Sequence, residues 1–144
     1  MTNRFTVVSA IAIGLAPIAS RADVTSEPLS GVTIEDATAT PAGLGETSRV
    51  RFRLSNSGVD DIVLIGISSD LSNTGALMMN DPLTGDREIN LLTVLQEEEL
   101  DLTTSHIRGE LRTLSKPLVV GDFVAFDLIF RSGTVSAEAD VHDR

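Results

Sequence analysis

The 144-residue sequence contains no cysteine, no tryptophan and no tyrosine. Without cysteine the chain has no disulfide framework, no thiolate nucleophile, no zinc-finger site and no iron–sulfur cluster. Any chemistry must therefore come from oxygen, imidazole or thioether groups. Even these soft donors are scarce, because the chain has only 2 histidines and 3 methionines.

Positive charge is also in short supply. The sequence carries 11 basic and 21 acidic side chains, which give a formal net charge of -10 at pH 7. Such a charge opposes binding to phosphate backbones and to anionic lipid, so we expect no nucleic-acid partner. With 42% hydrophobic and 22% charged residues, the chain can build a core, and its length allows one domain.

The first 22 residues have the pattern of a secretory signal peptide. Arg4 precedes an apolar run from Phe5 to Leu15, Pro17 follows, and small residues lead to a cleavage site after Ala22. The run is short for a membrane span, so we predict an exported, periplasmic protein without a membrane anchor. An uncleaved leader helix is the alternative. The predicted organisation is a signal peptide over 1–22, a linker over 23–30, a β-sandwich domain over 31–141 and a tail over 142–144.

Apolar and polar side chains alternate through most of the remaining chain. Residues 48–55 place Val50, Phe52 and Leu54 on one face and three arginines on the other, which is typical of a half-buried strand. Residues 123–131 and 133–141 repeat the pattern and read as a hairpin. Further strands are predicted at 31–38, 61–68, 75–80, 87–95, 99–103 and 107–112. Short strands with turn residues between them predict an all-β antiparallel sandwich of about seven to nine strands. The predicted core consists of Phe52, Leu54, Ile62, Leu64, Ile67, Val124, Phe126, Leu128 and Phe130.

Motifs of common enzymes are absent from the sequence. It has no G-x-S-x-G elbow, no P-loop, no dinucleotide-binding glycine motif and no H-E-x-x-H zinc motif. Glu97, Glu98, Glu99 and Asp101 form an acidic run that could supply paired carboxylates or bind a hard cation. Runs of like charge more often form solvated turns, and we expect that here. The sequence therefore predicts a protein that is not an enzyme.

The last third of the chain, SHIRGELRTLSKPLVVGDFVAFDLIFRSGTVSAEADV, resembles the periplasmic copper chaperones called PCu(A)C. The framework positions that carry the resemblance lie in two segments: Leu114, Pro117, Leu118, Gly121, Asp122, Leu128 and Phe130 in this one, and Asn56, Gly58, Asp61, Leu64, Gly66, Ser68 and Ser69 upstream. The resemblance runs from Gly31 to Val141 and implies a cupredoxin-like Greek-key sandwich. It also implies a protein that holds Cu(I) and passes it to the copper centre of cytochrome oxidase, or to another periplasmic copper protein.

The copper ligands of that family are largely replaced in this chain. Typical members use a His, a Met eleven residues later, and a His-x-Met pair, whose soft neutral donors suit Cu(I). His106 matches one ligand position, whereas Arg108 stands where the pair has its Met. Asn80 and Leu91 stand at the two upstream positions.

Met78 and Met79 lie next to the missing upstream histidine, so the candidate metal residues are His106, Met79 and Met78. Because neighbours on a strand point to opposite faces, only one of these methionines can face the same site as His106. Two interpretations stay open: a reduced Cu(I) site, or a metal-free structural or partner-binding module. If Arg108 occupies a ligand position, we expect a carboxylate partner for it, either Glu110 or a residue of the acidic run.

Overall fold

The computed structural model describes residues 29–143, which form ten strands. Their bounds are β1 (Val32–Ala39), β2 (Ser48–Asn56), β3 (Ile62–Ser68), β4 (Ser72–Asp81), β5 (Gly85–Ile89), β6 (Leu92–Val94), β7 (Glu99–Asp101), β8 (Ile107–Leu114), β9 (Phe123–Phe130) and β10 (Gly133–Val141). The predicted signal peptide, nearly all of the predicted linker and the last residue of the tail lie outside the described residues. Within 29–143 no segment forms a helix that is long and apolar enough to cross a membrane.

The strands join into one continuous mixed sheet that folds over on itself as an open sandwich. The strand order is β5-β4-β8-β2-β1-β10-β9-β3-β6, and β7 pairs with β2 beside this path. The predicted all-β sandwich is confirmed. One pair departs from the antiparallel pattern, because β1 and β10 run parallel with Thr38 opposite Asp140.

The structure has one strand more than the predicted maximum of nine, because one of the predicted strands is divided into two. The sequence predicts one continuous strand over 87–95, but Asn90 and Leu91 interrupt it and separate β5 from β6. β5 pairs with β4, whereas β6 pairs with β3 near the other end of the sheet. The chain therefore crosses from one layer to the other at this point, and a single straight strand could not do so.

The core lies between the two layers and contains all nine predicted core residues. Inward and outward residues alternate along β2, where Val50, Phe52 and Leu54 are fully buried. The rings of Phe52 and Phe126 lie 6.0 Å apart at a tilted angle, which joins β2 to β9 across the sandwich. Such aromatic pairs contribute about 0.5–1.5 kcal/mol beyond the area that they bury.

Two glycines let the layers approach closely around Ile67. A Cβ atom at Gly75 in β4 would lie 2.0 Å from the carbonyl oxygen of Ile67, and one at Gly109 in β8 would lie 2.8 Å from its Cδ1. A larger residue at Gly75 would require the backbone of β3 to move, whereas a larger residue at Gly109 would require the end of the Ile67 side chain to move. The inward faces of β4 and β8 are therefore fixed by glycine at their closest point to β3.

Asn56, the last residue of β2, links the connection between β2 and β3 to the end of β6. The side chain is buried, and its Nδ2 donates to the carbonyl oxygens of Asp60, Val94 and Leu95 at 2.9, 3.2 and 3.2 Å. Its Oδ1 accepts a hydrogen bond from the amide of Gly58. The side chain thus provides hydrogen-bond partners for backbone groups at this end of the sheet.

Candidate functional site

The residues at the candidate copper positions come together on the outward face of β4, β5 and β8. In this part of the sheet Met78 is opposite Arg108, and Asn80 is opposite Asp86. Directly opposed residues share a face, and residues two apart on a strand share it as well. The backbone amide of Asn80 also donates to the carbonyl oxygen of His106 at 2.9 Å, so His106 continues the same row.

The carboxylate of Asp86 joins Asn80 and Arg108, two residues at positions that the resemblance compares with copper ligands. Asn80 Nδ2 donates to Asp86 Oδ1 at 2.6 Å, and Arg108 Nη2 donates to Asp86 Oδ2 at 2.8 Å. The Asn80 amide, followed by the Arg108 guanidinium, lowers the pKa of Asp86 below its usual value, despite the opposing effect of desolvation. Asn80 and Arg108 are thus linked by an anion that both of them bind.

A second carboxylate, that of Glu110, holds Arg108 from the same strand. Nε and Nη2 of Arg108 donate to Glu110 Oε2 at 3.1 and 2.8 Å. The side chains are 8% and 12% exposed, so this pair is buried. Burial by itself would lower the pKa of Arg108, but its hydrogen bonds to Asp86 and Glu110 outweigh that effect and raise the pKa above its usual value. The predicted carboxylate partner Glu110 is confirmed.

The other oxygen of Glu110 is taken by a second arginine. Arg112 Nε donates to Glu110 Oε1 at 3.1 Å, and its Nη2 lies 3.1 Å from the sulfur of Met78. We call Asp86, Arg108, Glu110 and Arg112 the ion-pair network. It covers the outward side of β8, which explains why Arg108 and Glu110 are buried although they alternate with core residues.

The two candidate methionines lie on opposite faces of β4, as expected. Met78 shares the face of Arg108, whereas Met79 is opposite Ile107 and belongs to the inward face. Met78 is therefore the methionine that shares a face with His106. Its sulfur, however, contacts Arg112, which lies further along β8 from His106. His106 itself is exposed.

The other residue compared with a copper ligand, Leu91, and the second histidine, His142, lie elsewhere. Leu91 is half exposed in the connection between β5 and β6. His142 is exposed near the end of the chain, with its Nε2 3.8 Å from a carboxylate oxygen of Asp140. Across the described part of the chain, no three His, Cys, Asp or Glu side chains are grouped so that they could hold a metal ion.

The acidic run binds a different arginine from the one considered above. Glu99 and Asp101 lie in β7, and their carboxylates are 3.9 and 3.5 Å from the guanidinium of Arg53, which also contacts Asp36 at 2.9 Å. These residues pair with β2, so the strand predicted over 99–103 is present at 99–101, while the Glu97, Glu99 and Asp101 side chains remain exposed to solvent. The run also provides no partner for Arg108. Asp86 takes that role, and no prediction from the sequence included it.

The fold that these strands form, an open mixed β-sandwich, is that of solved PCuAC domains. Among solved structures, the chain is similar to the copper-bound PCuAC domain from PmoF2, with a TM-score of 0.68 at 18% identity over 83% of this chain and 98% of that chain. It is also similar to the apo PCuAC domain from PmoF1, with a TM-score of 0.67 at 15% identity over 83% and 99%. A third similar structure is the solution structure of CuI-DR1885 from Deinococcus radiodurans, with a TM-score of 0.60 at 23% identity over 89% and 87%.

Comparison by sequence adds nothing to these structural matches. No protein-family model and no curated protein matches the chain. At such low identities the likeness establishes the fold, and the predicted PCu(A)C-type resemblance is confirmed at that level. Which chemistry the fold carries in this chain must be argued from its own residues.

Proposed function

We propose that the chain is a divergent relative of the PCu(A)C copper chaperones that works as a binding protein, not as an enzyme, with an ion-pair network at the former copper position. The observation that carries this proposal is the shared carboxylate of Asp86, which binds both Asn80 and Arg108. In this interpretation the chain recognises a protein partner through the surface of the sandwich. It is the metal-free alternative considered in the sequence analysis.

Electrostatics favour this interpretation over a copper site at the same place. A guanidinium has five donor hydrogens and no lone pair to offer, so Arg108 repels a cation and cannot coordinate it. Two carboxylates hold it there, within 2.8 Å each. Moving it aside would leave the buried carboxylate of Glu110 with one partner fewer, which carries a large energetic cost.

The second candidate function is that of a Cu(I) chaperone with a reduced site. One observation favours it: His106 and Met78 share the outward face of adjacent strands, and imidazole and thioether groups are the donors that Cu(I) prefers. In this case Cu(I) would be cargo, held weakly and delivered to the copper centre of cytochrome oxidase or to another periplasmic copper protein. The likeness to copper-bound PCuAC domains also supports this candidate.

Anaerobic competition with a Cu(I) chelator separates the two functions. The protein should be isolated from the periplasmic fraction, where its mass also tests the proposed export and cleavage after Ala22. We expect the parent to bind Cu(I) no more tightly than His106→Ala or Met78→Leu. The matched controls are His142→Ala, which removes the other histidine, and Met79→Leu, which changes the methionine on the inward face.

Two outcomes would favour the chaperone instead. Tight one-to-one binding that His106→Ala and Met78→Leu both weaken, while the two controls do not, would reject the metal-free proposal. Transfer of that Cu(I) to a soluble copper-accepting domain of cytochrome oxidase would then establish delivery. We also expect the double variant Asn80→His with Arg108→Met to bind Cu(I) more tightly than the parent, because a soft donor replaces a repelling cation.

A further inference from the structure

The connection between β8 and β9, together with the first residue of β9, exposes three large apolar side chains within five residues. Val119 and Val120 are each 58% exposed and Phe123 is 63% exposed, whereas Leu118, directly before them, is buried in the core. Single exposed apolar residues are ordinary, but a group of them is typical of an interaction site. We infer that this group, which we call the Phe123 patch, binds a basic segment of a partner protein and places an arginine of that segment over Phe123.

Hydrogen bonds hold the patch in place. The amide of Asp122 donates to the carbonyl oxygen of Val119 at 3.0 Å, and Asp122 Oδ2 accepts a hydrogen bond from the amide of Val119 at 3.0 Å. The amide of Gly121 donates to the carbonyl oxygen of Val141 at 3.1 Å, and the amide of Val141 donates to that of Asp122 at 2.9 Å, which ties the turn to the end of β10. A turn fixed in this way keeps the apolar side chains in solvent, and a partner that covers them has little backbone left to order.

Phe123 and Asp140 together favour a guanidinium group. The two residues are directly opposite each other in the pairing of β9 with β10, so the ring and the carboxylate share a face. An arginine placed over the ring gains a cation–π contact and can donate to the neighbouring carboxylate at the same time. A groove of about 220 Å³ adjoins this pair, and Val120 and Val141 contribute to its lining. An apolar side chain next to the arginine can therefore enter the groove.

Acidic side chains are in excess around the patch. Within residues 29–143, the four nearby carboxylates have no lysine or arginine within ion-pair distance: Asp122, Glu138, Asp140 and Asp143. His142 lies 3.8 Å from Asp140 and adds a positive charge only when it is protonated. Two cations lie further away. Lys116 is in the same connection, and Arg51, on the far side of β1 from Asp140, donates to two backbone carbonyl oxygens. The negative charge that remains attracts a basic segment.

The same charges disfavour two other occupants of the patch. A second copy of the chain would bring two acidic surroundings together, because a twofold interface uses the same patch on both subunits. An anionic membrane surface would be repelled by these carboxylates and by the net charge of -10. The inference rests on the proposed function and deepens it, because it names the surface and the class of protein that the domain binds.

The test is an NMR titration of the full domain at low ionic strength with synthetic dodecapeptides. The first peptide carries arginines beside leucines, the second has glutamine in place of arginine, and the third has serine in place of leucine. We expect saturable shifts of the amides of 119–123 and 138–142 with the first peptide, and weaker binding of the other two. Phe123→Ser should weaken binding of the first peptide about tenfold or more, and Asp140→Asn about threefold or more.

The matched controls change the same kinds of side chain elsewhere. Leu83→Ser removes an apolar side chain that is 94% exposed in the β4–β5 turn, and Glu97→Gln removes an exposed carboxylate at the other end of β2. Both controls should bind the first peptide as the parent does, and added salt should weaken binding by all of them. Urea unfolding of each variant checks its fold, and Asp140→Asn keeps the test decisive if Phe123→Ser does not fold.

Several outcomes would overturn the inference. These are no saturable shift with the first peptide, equal binding of the glutamine peptide, and equal binding by the patch variants and their controls. A dimer of the parent that Phe123→Ser abolishes, or binding to phosphatidylserine vesicles that Phe123→Ser abolishes, would assign the patch to another occupant and also overturn it. Cu(I) affinity is measured separately. Tight Cu(I) binding would reject the metal-free function whatever the peptides do, whereas absence of peptide binding would reject only the assignment of the patch.

Discussion

Replacing Arg108 by methionine should destabilise the domain, although the substitution removes a buried charge and adds an apolar side chain. The Arg108 side chain is 8% exposed and Glu110 is 12% exposed, so the substitution leaves a buried carboxylate with fewer donors. Breaking a fully buried pair costs about 3–5 kcal/mol. Glu110 keeps Arg112 at 3.1 Å, which reduces this cost. We therefore expect Arg108→Met to lower the free energy of unfolding by about 2–3 kcal/mol.

A double substitution distinguishes the effect of leaving Glu110 without Arg108 from the effect of changed packing around the two side chains. When Arg108→Met and Glu110→Met are combined, both charges of the buried pair are removed and neither is left without its partner. Apolar replacements of buried ion pairs are often neutral or stabilising. We expect the double variant to unfold within about 1 kcal/mol of the parent, with a coupling free energy of about 1–3 kcal/mol. The control Arg53→Met removes an arginine whose side chain is 35% exposed and should cost at most about 1 kcal/mol.

The measurement is urea unfolding followed by far-ultraviolet circular dichroism, because a chain without tryptophan and tyrosine has little useful intrinsic fluorescence. The reasoning is refuted if Arg108→Met costs no more than Arg53→Met. It is equally refuted if the double variant is as unstable as the sum of the two single variants, because the two side chains would then act independently.

Two other properties of the domain can be tested by the same unfolding experiment. Asn56→Asp should lower the free energy of unfolding by about 2–4 kcal/mol, since it removes the donors to three carbonyl oxygens and places a negative charge beside them. The control Asn73→Asp, at an exposed position of β4, should have little effect. Equal losses of stability in the two variants would contradict this prediction. Hydrogen bonds lower the pKa values of Asp81, Asp86 and Asp101, chiefly from the Leu83 amide, the Asn80 amide and the Thr103 hydroxyl respectively. A carboxyl group with a lowered folded pKa stabilises the fold above its unfolded pKa of about 3.9 and loses that contribution as pH falls. The urea concentration at the midpoint of unfolding should therefore decrease as the pH falls below about 4. The Asp101→Asn variant should show a smaller decrease over the same pH range.

Most of the fold was predictable because alternation reports directly on burial. In β2 and β9 every second side chain faces the core, so the period of two in 48–55 and 123–131 gives both the strand and its inward face. The same criterion gave a wrong prediction for 87–95. Its apolar residues indicated one continuous strand, whereas the chain passes from one layer to the other at Asn90. The glycine requirement around Ile67 was invisible, because it depends on a contact between strands that are not paired with each other.

The site was predictable only as far as local spacing extends. Glu110 follows Arg108 by two residues, so the shared strand face already placed them together. Asp86 is 22 residues from Arg108, and its role depends on the pairing of β5 with β4 and of β4 with β8. The hairpin register offered one usable signal, because Asn80 and Asp86 flank a turn and must oppose each other once it closes.

The same alternation explains how this fold can keep its framework while its chemistry changes. In β4 and β8 the inward positions, including Leu77 and Leu111, are fully buried and build the core. The outward positions, including Met78 and Arg108, contribute nothing to the contact between the layers. An arginine can stand at such a position without disturbing the core, provided that carboxylates on the same face neutralise it. Glu110 and Asp86 meet that condition for Arg108, so a sandwich that matches copper-bound domains in fold can carry an ion-pair network on this face.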